Sequence, residues 1–330
     1  MASPIEQLPG WVYQALPEFV DHLEKELGSW DNQWGPLYYR RIPTKAFWVQ
    51  NIWLNPFMAH FTSISEAARL LKSIQRNWAP LLVRNFRRGQ LIQEQLPHIP
   101  LDKPREFPFV VPPAPMGAWT LLDEHTLLAS AHTTSPFPGG TIQFVENKID
   151  PPSRAYLKLQ EALVRLGAWP GPGDLCIDAG ASPGGWTWVL TRLGAQVIAI
   201  DRAPLAPHLM EHPLVRYVKH DAFTLKPQDL GPVDWVFSDV ICYPPRLFGW
   251  IEQWLSLGLA KNYVCTIKMQ GDPDMETTAR FAAIPGSTVV HLSYNKHELT
   301  WLYRHPGEST DRPEGKAVFP VPMTEEPLCK

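Results

Sequence analysis

No run of 18 consecutive apolar residues occurs in the 330-residue chain, so no membrane-spanning helix is expected. Cysteine is scarce. Cys176, Cys242, Cys265 and Cys329 show no C-x-x-C spacing, so neither a zinc site nor a disulfide framework is expected. Free thiols of this kind suit a reducing, cytoplasmic setting. The opening MASPIEQLPGW has neither a basic segment nor an apolar run and does not read as a secretory signal. Charge is thin as well, at 19% of residues against the usual ~25%. A net charge of −3 gives no global field for a polyanion, so nucleic acid would have to be met by local cations. A phosphate loop of the form G-x-x-x-x-G-K-[ST] is also missing.

What is abundant is proline, 35 residues, which predicts stiff, extended connections. Apolar content of 45% can fill a full core, and the length suits about two domains. The most informative stretch is Leu175 to Asp201, LCIDAGASPGGWTWVLTRLGAQVIAID. A short apolar run ending at Asp178 predicts a buried parallel strand. A turn of Gly180, Ala181, Ser182, Pro183, Gly184 and Gly185 follows, then a helix from Trp186 to Leu193 that Gly194 stops. A second apolar run ends on Asp201. Strand, glycine turn, helix, strand and acid form the layout of a nucleoside-binding crossover. Asp201 is placed to accept hydrogen bonds from ribose hydroxyls, although a tight turn in any α/β protein would share the glycines.

Ahead of this unit, the spacing predicts a helix over Glu18 to Leu27, strands at Leu37 to Arg41 and Phe47 to Gln50, and a capping box at Ser63 and Glu66 opening a helix to about Trp78. Residues 1–103 thus read as a small α+β module. From Arg69 to Arg105 there are eight basic and two acidic residues, with Arg84, Arg87 and Arg88 around Phe86. Such a stretch is either a solvated face or an RNA contact. Residues 104–150 read as a proline-rich linker and a hairpin spanning Ala118 to Ala131. Ser153 is expected to cap a helix that Gly167 closes. Further strands are expected at 215–218, 233–237, 263–267 and 288–292, with a last antiparallel edge strand at 299–303, and residues 306–330 read as disordered.

Ligands of open α/β sheets bind outside the carboxyl ends of the strands. Asp178, Asp201, Asp221 and Asp239 end or follow strands there, Lys268 ends another, and Glu298 opens the last. Lys158, on the preceding helix, can reach the same rim. The sequence here resembles the FtsJ-like RNA 2′-O-ribose methyltransferases. GASPGGWT, Gly180 to Thr187, resembles their cofactor motif, and a Lys-Asp-Lys-Glu tetrad falls on Lys158 (SRAYLK), Asp239 (FSDV), Lys268 (IKMQG) and Glu298 (KHELTWLY). The likeness covers residues 151–305. It implies a Rossmann-like α/β domain with a mostly parallel sheet and an antiparallel last strand, S-adenosylmethionine as cofactor, and RNA as partner. It assigns Asp178, the Gly180–Trp186 turn, Asp201, Asp221 and Asp239 to the cofactor. Within the family, the likeness is to bacterial enzymes that methylate a cytidine ribose in 23S ribosomal RNA. Those carry a ferredoxin-like module and a THUMP domain, which makes 1–103 ferredoxin-like and 104–150 a reduced THUMP-like region.

A ribose hydroxyl is a poor nucleophile until a base takes its proton, and a lysine serves when neighbouring cations and burial disfavour its charge. Lys268 is the expected base, Lys158 the adjacent cation, Asp239 the group holding Lys268, and Glu298 an orienting acid. No metal is called for. Arg84, Arg87, Arg88, Arg154 and Arg246 are the expected RNA contacts. Two rivals share the fold: a cap ribose methyltransferase, and a non-catalytic RNA-binding or ribosome-assembly module.

Overall fold

Period-two and continuous apolar runs sort the chain into two kinds of sheet, one kind in each of two units, Met1–Val145 and Glu146–Lys330. The structure, a computed structural model, describes residues 5–101 and 103–306. All of the expected tail except Pro306 lies outside the described residues.

The first unit runs β1 (Ile5–Gln7), β2 (Trp11–Ala15), α1 (Val20–Leu27), β3 (Asn32–Trp34), β4 (Leu37–Arg40), β5 (Val49–Leu54), β6 (Phe57–His60), α2 (Ile64–Ile74), β7 (Trp78–Pro80), α3 (Phe86–Gln93), β8 (Gly117–Leu121), β9 (Thr126–Ser130) and β10 (His132–Thr133). These form two five-stranded sheets, β10-β5-β2-β4-β3 and β1-β6-β9-β8-β7. Alternation decides which side chains meet. Val12, Tyr39 and Trp53 of one sheet pack on Ala118 and Leu128 of the other. Their neighbours Tyr13, Ala15 and Ile52 face the Leu23 and Leu27 stripe of α1. On the far side, Phe57, Trp119, Leu121 and Leu127 bury Ala67, Ala68 and Leu71 of α2 with Ile92 of α3.

Three expectations change here. The hairpin lies inside the first unit, because β8 and β9 are buried along their whole length in mid-sheet. The first sheet has one helix where a ferredoxin-like module has two, since residues 41–48 run from β4 to β5 without a helix. The helix after Ser63 stops at Ile74, and Trp78 enters a strand. Ser63 Oγ does accept from Glu66 N at 3.2 Å. The Glu66 carboxylate, however, closes on the Thr62 N–H at 2.8 Å.

The second unit contains α4 (Tyr156–Leu166), β11 (Leu175–Ala179), α5 (Gly185–Arg192), β12 (Gln196–Asp201), α6 (Pro207–Met210), β13 (Val215–Lys219), α7 (Pro227–Leu230), β14 (Val233–Ser238), α8 (Pro244–Leu257), β15 (Ala260–Lys268), α9 (Met275–Ala283), β16 (Ser287–Val290) and β17 (Glu298–Arg304). They build one seven-stranded sheet of order β13-β12-β11-β14-β15-β17-β16. The first five strands are parallel, and β17 runs antiparallel to both neighbours. This is the Rossmann-like, mostly parallel sheet expected. The antiparallel strand sits inside the sheet, however, and β16 forms the edge. Ser153 does not cap α4, whose N-cap is Ala155 without a side-chain bond. Chain order reverses between β11 and β14, and that reversal opens a crevice at their carboxyl ends.

Candidate active site

The crevice is built from backbone first. Gly180 sits at φ +79°, and a β-carbon there would stand 2.3 Å from Val240 Cγ2. Gly184, at φ +113°, would meet Leu209 Cδ1 at 2.3 Å. Dihedral and space both close these positions to larger residues. The turn is tied to β12, where Gly180 N and Ala181 N donate to Ile200 O at 2.8 and 3.3 Å. Asp201 closes the other side, accepting from Ser182 N through Oδ2 at 3.0 Å and from Ala203 N through Oδ1 at 2.9 Å. Beneath the turn, Asp178 is 1% exposed and accepts a 2.6 Å bond from Thr187 Oγ1. Burial, with the charges of Asp239 and Asp201 added, pushes its pKa up to about 7.

Two cavities meet at this turn. The larger, about 390 Å³, is lined by Asp178, Gly180, Ser182, Asp201, Asp239 and Lys268, among others. The smaller, about 180 Å³, shares Gly180, Asp201, Val240 and Ile241 with it and continues to Asp221, Phe223 and Arg246. Asp221 Oδ2 accepts from both Arg202 and Arg246, and Oδ1 from Phe223 N at 3.1 Å. Burial would raise this carboxyl, but the arginine and backbone donors hold it below the usual range.

Three elements and the residue after β14 then bring four ionisable side chains together. Lys158, in the first turn of α4, donates to Asp239 Oδ1 and Oδ2 at 2.8 and 2.9 Å and to Glu298 Oε1 at 2.9 Å. Lys268 Nζ lies 3.1 Å from the same Asp239 Oδ1. The antiparallel register sets the last residue of β15, Lys268, opposite the first of β17, Glu298. Two lysines thus meet two carboxylates. Burial would lower the Lys158 pKa, but the Asp239 and Glu298 carboxylates outweigh it and raise the value. Of the four, only Asp239 and Lys268 line the larger cavity. The arrangement encloses the Lys158 amine between two carboxylates and leaves Lys268 lining the cavity.

The expected arginines separate. Arg246 belongs to the smaller cavity, its guanidinium 5.1 Å from the Phe223 ring centre. Arg88 is turned onto Phe61 at 5.3 Å and is half-buried, because the helical period that exposes Arg87 points Arg88 inward. Arg84 is exposed and donates to Leu122 O at 3.0 Å. Arg154 is exposed and paired with Glu146 at 2.8 Å. Sequence reasoning missed Arg202, Phe223, Val240 and Ile241. The available signal for the last two was an apolar continuation, Val240-Ile241, directly after an acid at a strand end. Among the described residues no group of His, Cys, Asp and Glu could hold a metal, and no helix is long and apolar enough to cross a membrane.

Comparison with known proteins adds names to this geometry. A protein named ribosomal RNA large subunit methyltransferase M from Xanthomonas oryzae pv. oryzae is 34% identical over 214 residues, 62% of this chain and 57% of that one. Its namesake from Halorhodospira halophila is 36% identical over 170 residues, 49% of each chain. The chain thus spans about half the length of the curated relatives it matches. The solved structure of Aeropyrum pernix fibrillarin with bound S-adenosyl-L-methionine aligns at 15% identity and a TM-score of 0.35, over 56% of this chain and 81% of that one. That likeness is too slight to bear on function. The FtsJ-like methyltransferase profile matches residues 151–270, the stretch that carries both cavities and three of the four clustered ions. Residues 151–270 of this chain thus match the FtsJ-like methyltransferase family.

Proposed function

We propose that the second unit is an S-adenosylmethionine-dependent RNA 2′-O-ribose methyltransferase acting on large-subunit ribosomal RNA. The observation that carries this is the Lys158–Asp239–Lys268–Glu298 cluster, with one of its lysines facing the cavity. The cofactor fits the residues present. Each Asp201 oxygen accepts one backbone N–H and keeps lone pairs for ribose hydroxyls. The turn from Gly180 to Trp186 gives a wall of backbone, and Asp221 with Phe223 suits an adenine in the smaller cavity. Asp178 lies under the turn. When bound, S-adenosylmethionine supplies an electrophilic methyl group.

The chain's own residues supply position and a proton acceptor. A ribose 2′-hydroxyl at the cavity mouth meets Lys268 Nζ, whose one ionic partner among the described residues, Asp239 Oδ1, is already engaged by Lys158. Lys268 accepts the hydroxyl proton, and Asp239 fixes the direction of its amine. Lys158 stays an ammonium between its two carboxylates, Asp239 and Glu298. Glu298 holds Lys158 in place. Holding hydroxyl and methyl donor in line is itself a large part of the rate gain. Of the tryptophans, Trp48, Trp53, Trp78, Trp119, Trp254 and Trp301 are fully buried, and the exposed Trp30 lines neither cavity, so among the described residues no tryptophan pair for stacking a cap stands at the crevice.

Ribose-methylation mapping of total RNA, with and without the gene, tests the reading. One or more 2′-O-methyl marks in large-subunit RNA should vanish in the null strain. Wild type should restore them, and Lys268→Ala should not. In purified form, Lys268→Ala should transfer methyl groups on the order of 10²–10⁴ times more slowly. Identical maps with and without the gene would sink the proposal.

A further inference from the structure

Immediately after Asp239 the chain does something unusual for a globular surface: it exposes large apolar side chains side by side. Ile241 is 77% exposed and Tyr243 is 65% exposed, while Cys242 between them is 7% exposed. Tyr243 has extended backbone, φ −65° and ψ 139°. Exposed, buried, exposed in succession, the three residues present Ile241 and Tyr243 to the surface on either side of the buried Cys242. The segment is anchored rather than loose. Tyr243 is the N-cap of α8, and Pro244 with Pro245 fills that helix's first turn. Ile241 also lines both cavities, so this ledge is continuous with the wall that carries Asp239 and Lys268.

Resting on the reading above, we infer that Ile241 and Tyr243 form the ledge on which the base of the acceptor nucleotide packs, with its ribose turned to Lys268. A ribose brought to Lys268 carries its base with it, so the base must come to rest on surface next to the cavity mouth. An aromatic ring beside a branched aliphatic side chain offers a nucleobase an apolar partner with one flat face. The occupant is a base of single-stranded or splayed-out RNA, since bases stacked in a duplex present no face to a side chain. Tyr243 lines neither cavity, so its contribution is to RNA alone.

The test uses the full-length chain, S-adenosylmethionine and unmodified large-subunit ribosomal RNA from cells lacking the gene. Base stacking on an aromatic side chain is worth about 1–3 kcal/mol, or roughly 5–150-fold in affinity. Tyr243→Ala should raise KM for the RNA by that factor, with cofactor affinity unchanged. Tyr243→Phe and Tyr243→Trp should keep KM near wild type, since the ring and not the hydroxyl is used. Ile241→Thr should raise KM for the RNA as well. Unchanged KM in Tyr243→Ala, with wild-type turnover intact, overturns the ledge while leaving the proposed activity standing. Rescue failing in Tyr243→Phe overturns it too, by making the hydroxyl the active group. No methylation by wild type removes the activity and the ledge together.

Discussion

Replacing Lys158 by methionine keeps the length of the side chain and removes its charge, which isolates what the ammonium does. Lys158 and Glu298 side chains are 9% and 12% exposed, and Asp239 is 15% exposed. In the variant, Asp239 retains Lys268 at 3.1 Å. Glu298 is left without the one cation that pairs with it among the described residues. Breaking a buried pair by removing one partner costs about 3–5 kcal/mol, because a buried charge stays behind uncompensated. For a unit of this size that corresponds to a melting temperature roughly 6–20 °C lower. Adding Glu298→Gln should recover most of the loss, since the stranded charge is then gone, while methyl transfer stays impaired. The pH dependence carries a sign. The wild-type Lys158 pKa is raised in the fold, so its contribution is complete below the ordinary lysine range and is lost as pH climbs past it. Lys158→Met lacks that alkaline loss. Thermal melts of wild type, both single variants and the double variant across pH read all of this. A Lys158→Met melt within 2 °C of wild type, or a double variant no better than the single, would refute the reasoning.

Asp201→Ala should weaken S-adenosylmethionine binding by about 1.5–3 kcal/mol, read by calorimetry on a folded variant, since hydrogen bonds to a charged acceptor are lost. Asp178, with a pKa raised to about 7, binds a proton in the fold that the unfolded chain gives up near pH 4. Its contribution therefore favours the fold at low pH and declines as pH rises to about 7. Asp178→Asn should flatten that slope in urea melts between pH 5 and pH 8. Arg84→Glu with Arg87→Glu should weaken RNA binding and reduce its salt dependence, as fewer counterions are released. A salt slope equal to wild type would make that stretch a solvated face.

How much of this was legible in the sequence depends on the range of the interaction. The β11–α5–β12 unit was, because buried parallel strands read as continuous apolar runs and the turn needs glycine where Val240 and Leu209 leave no room for a β-carbon. The convergence of Lys158, Asp239, Lys268 and Glu298 was legible from their places at strand ends or a helix start, since such positions share a rim of the sheet. The strand order was not. That β17 inserts between β15 and β16 is decided by pairing partners distant in sequence, and the local pattern of Leu299 to Tyr303 is the same at an edge. Nor did composition reveal that Arg246 turns to Asp221 and Phe223 while Arg87 faces solvent. The two sheets of the first unit were missed for a similar reason. β6 and β9 are neighbours in space although α2, β7, α3 and β8 separate them along the chain.

The insertion of β17 bears on how the protein is made. β15 is nine residues long and almost entirely buried in the finished sheet, with β14 on one flank and β17 on the other. During synthesis β14 and β15 leave the ribosome well before β17 does. For that interval one whole flank of β15 presents unpaired N–H and C=O groups with apolar side chains, the combination that recruits strands from other molecules. Docking of the β16–β17 hairpin caps this edge and delivers Glu298 to Lys158 in the same event. Completion of the ionic cluster and protection from aggregation are thus one step, and a variant that slows hairpin docking would show itself first as poor soluble yield.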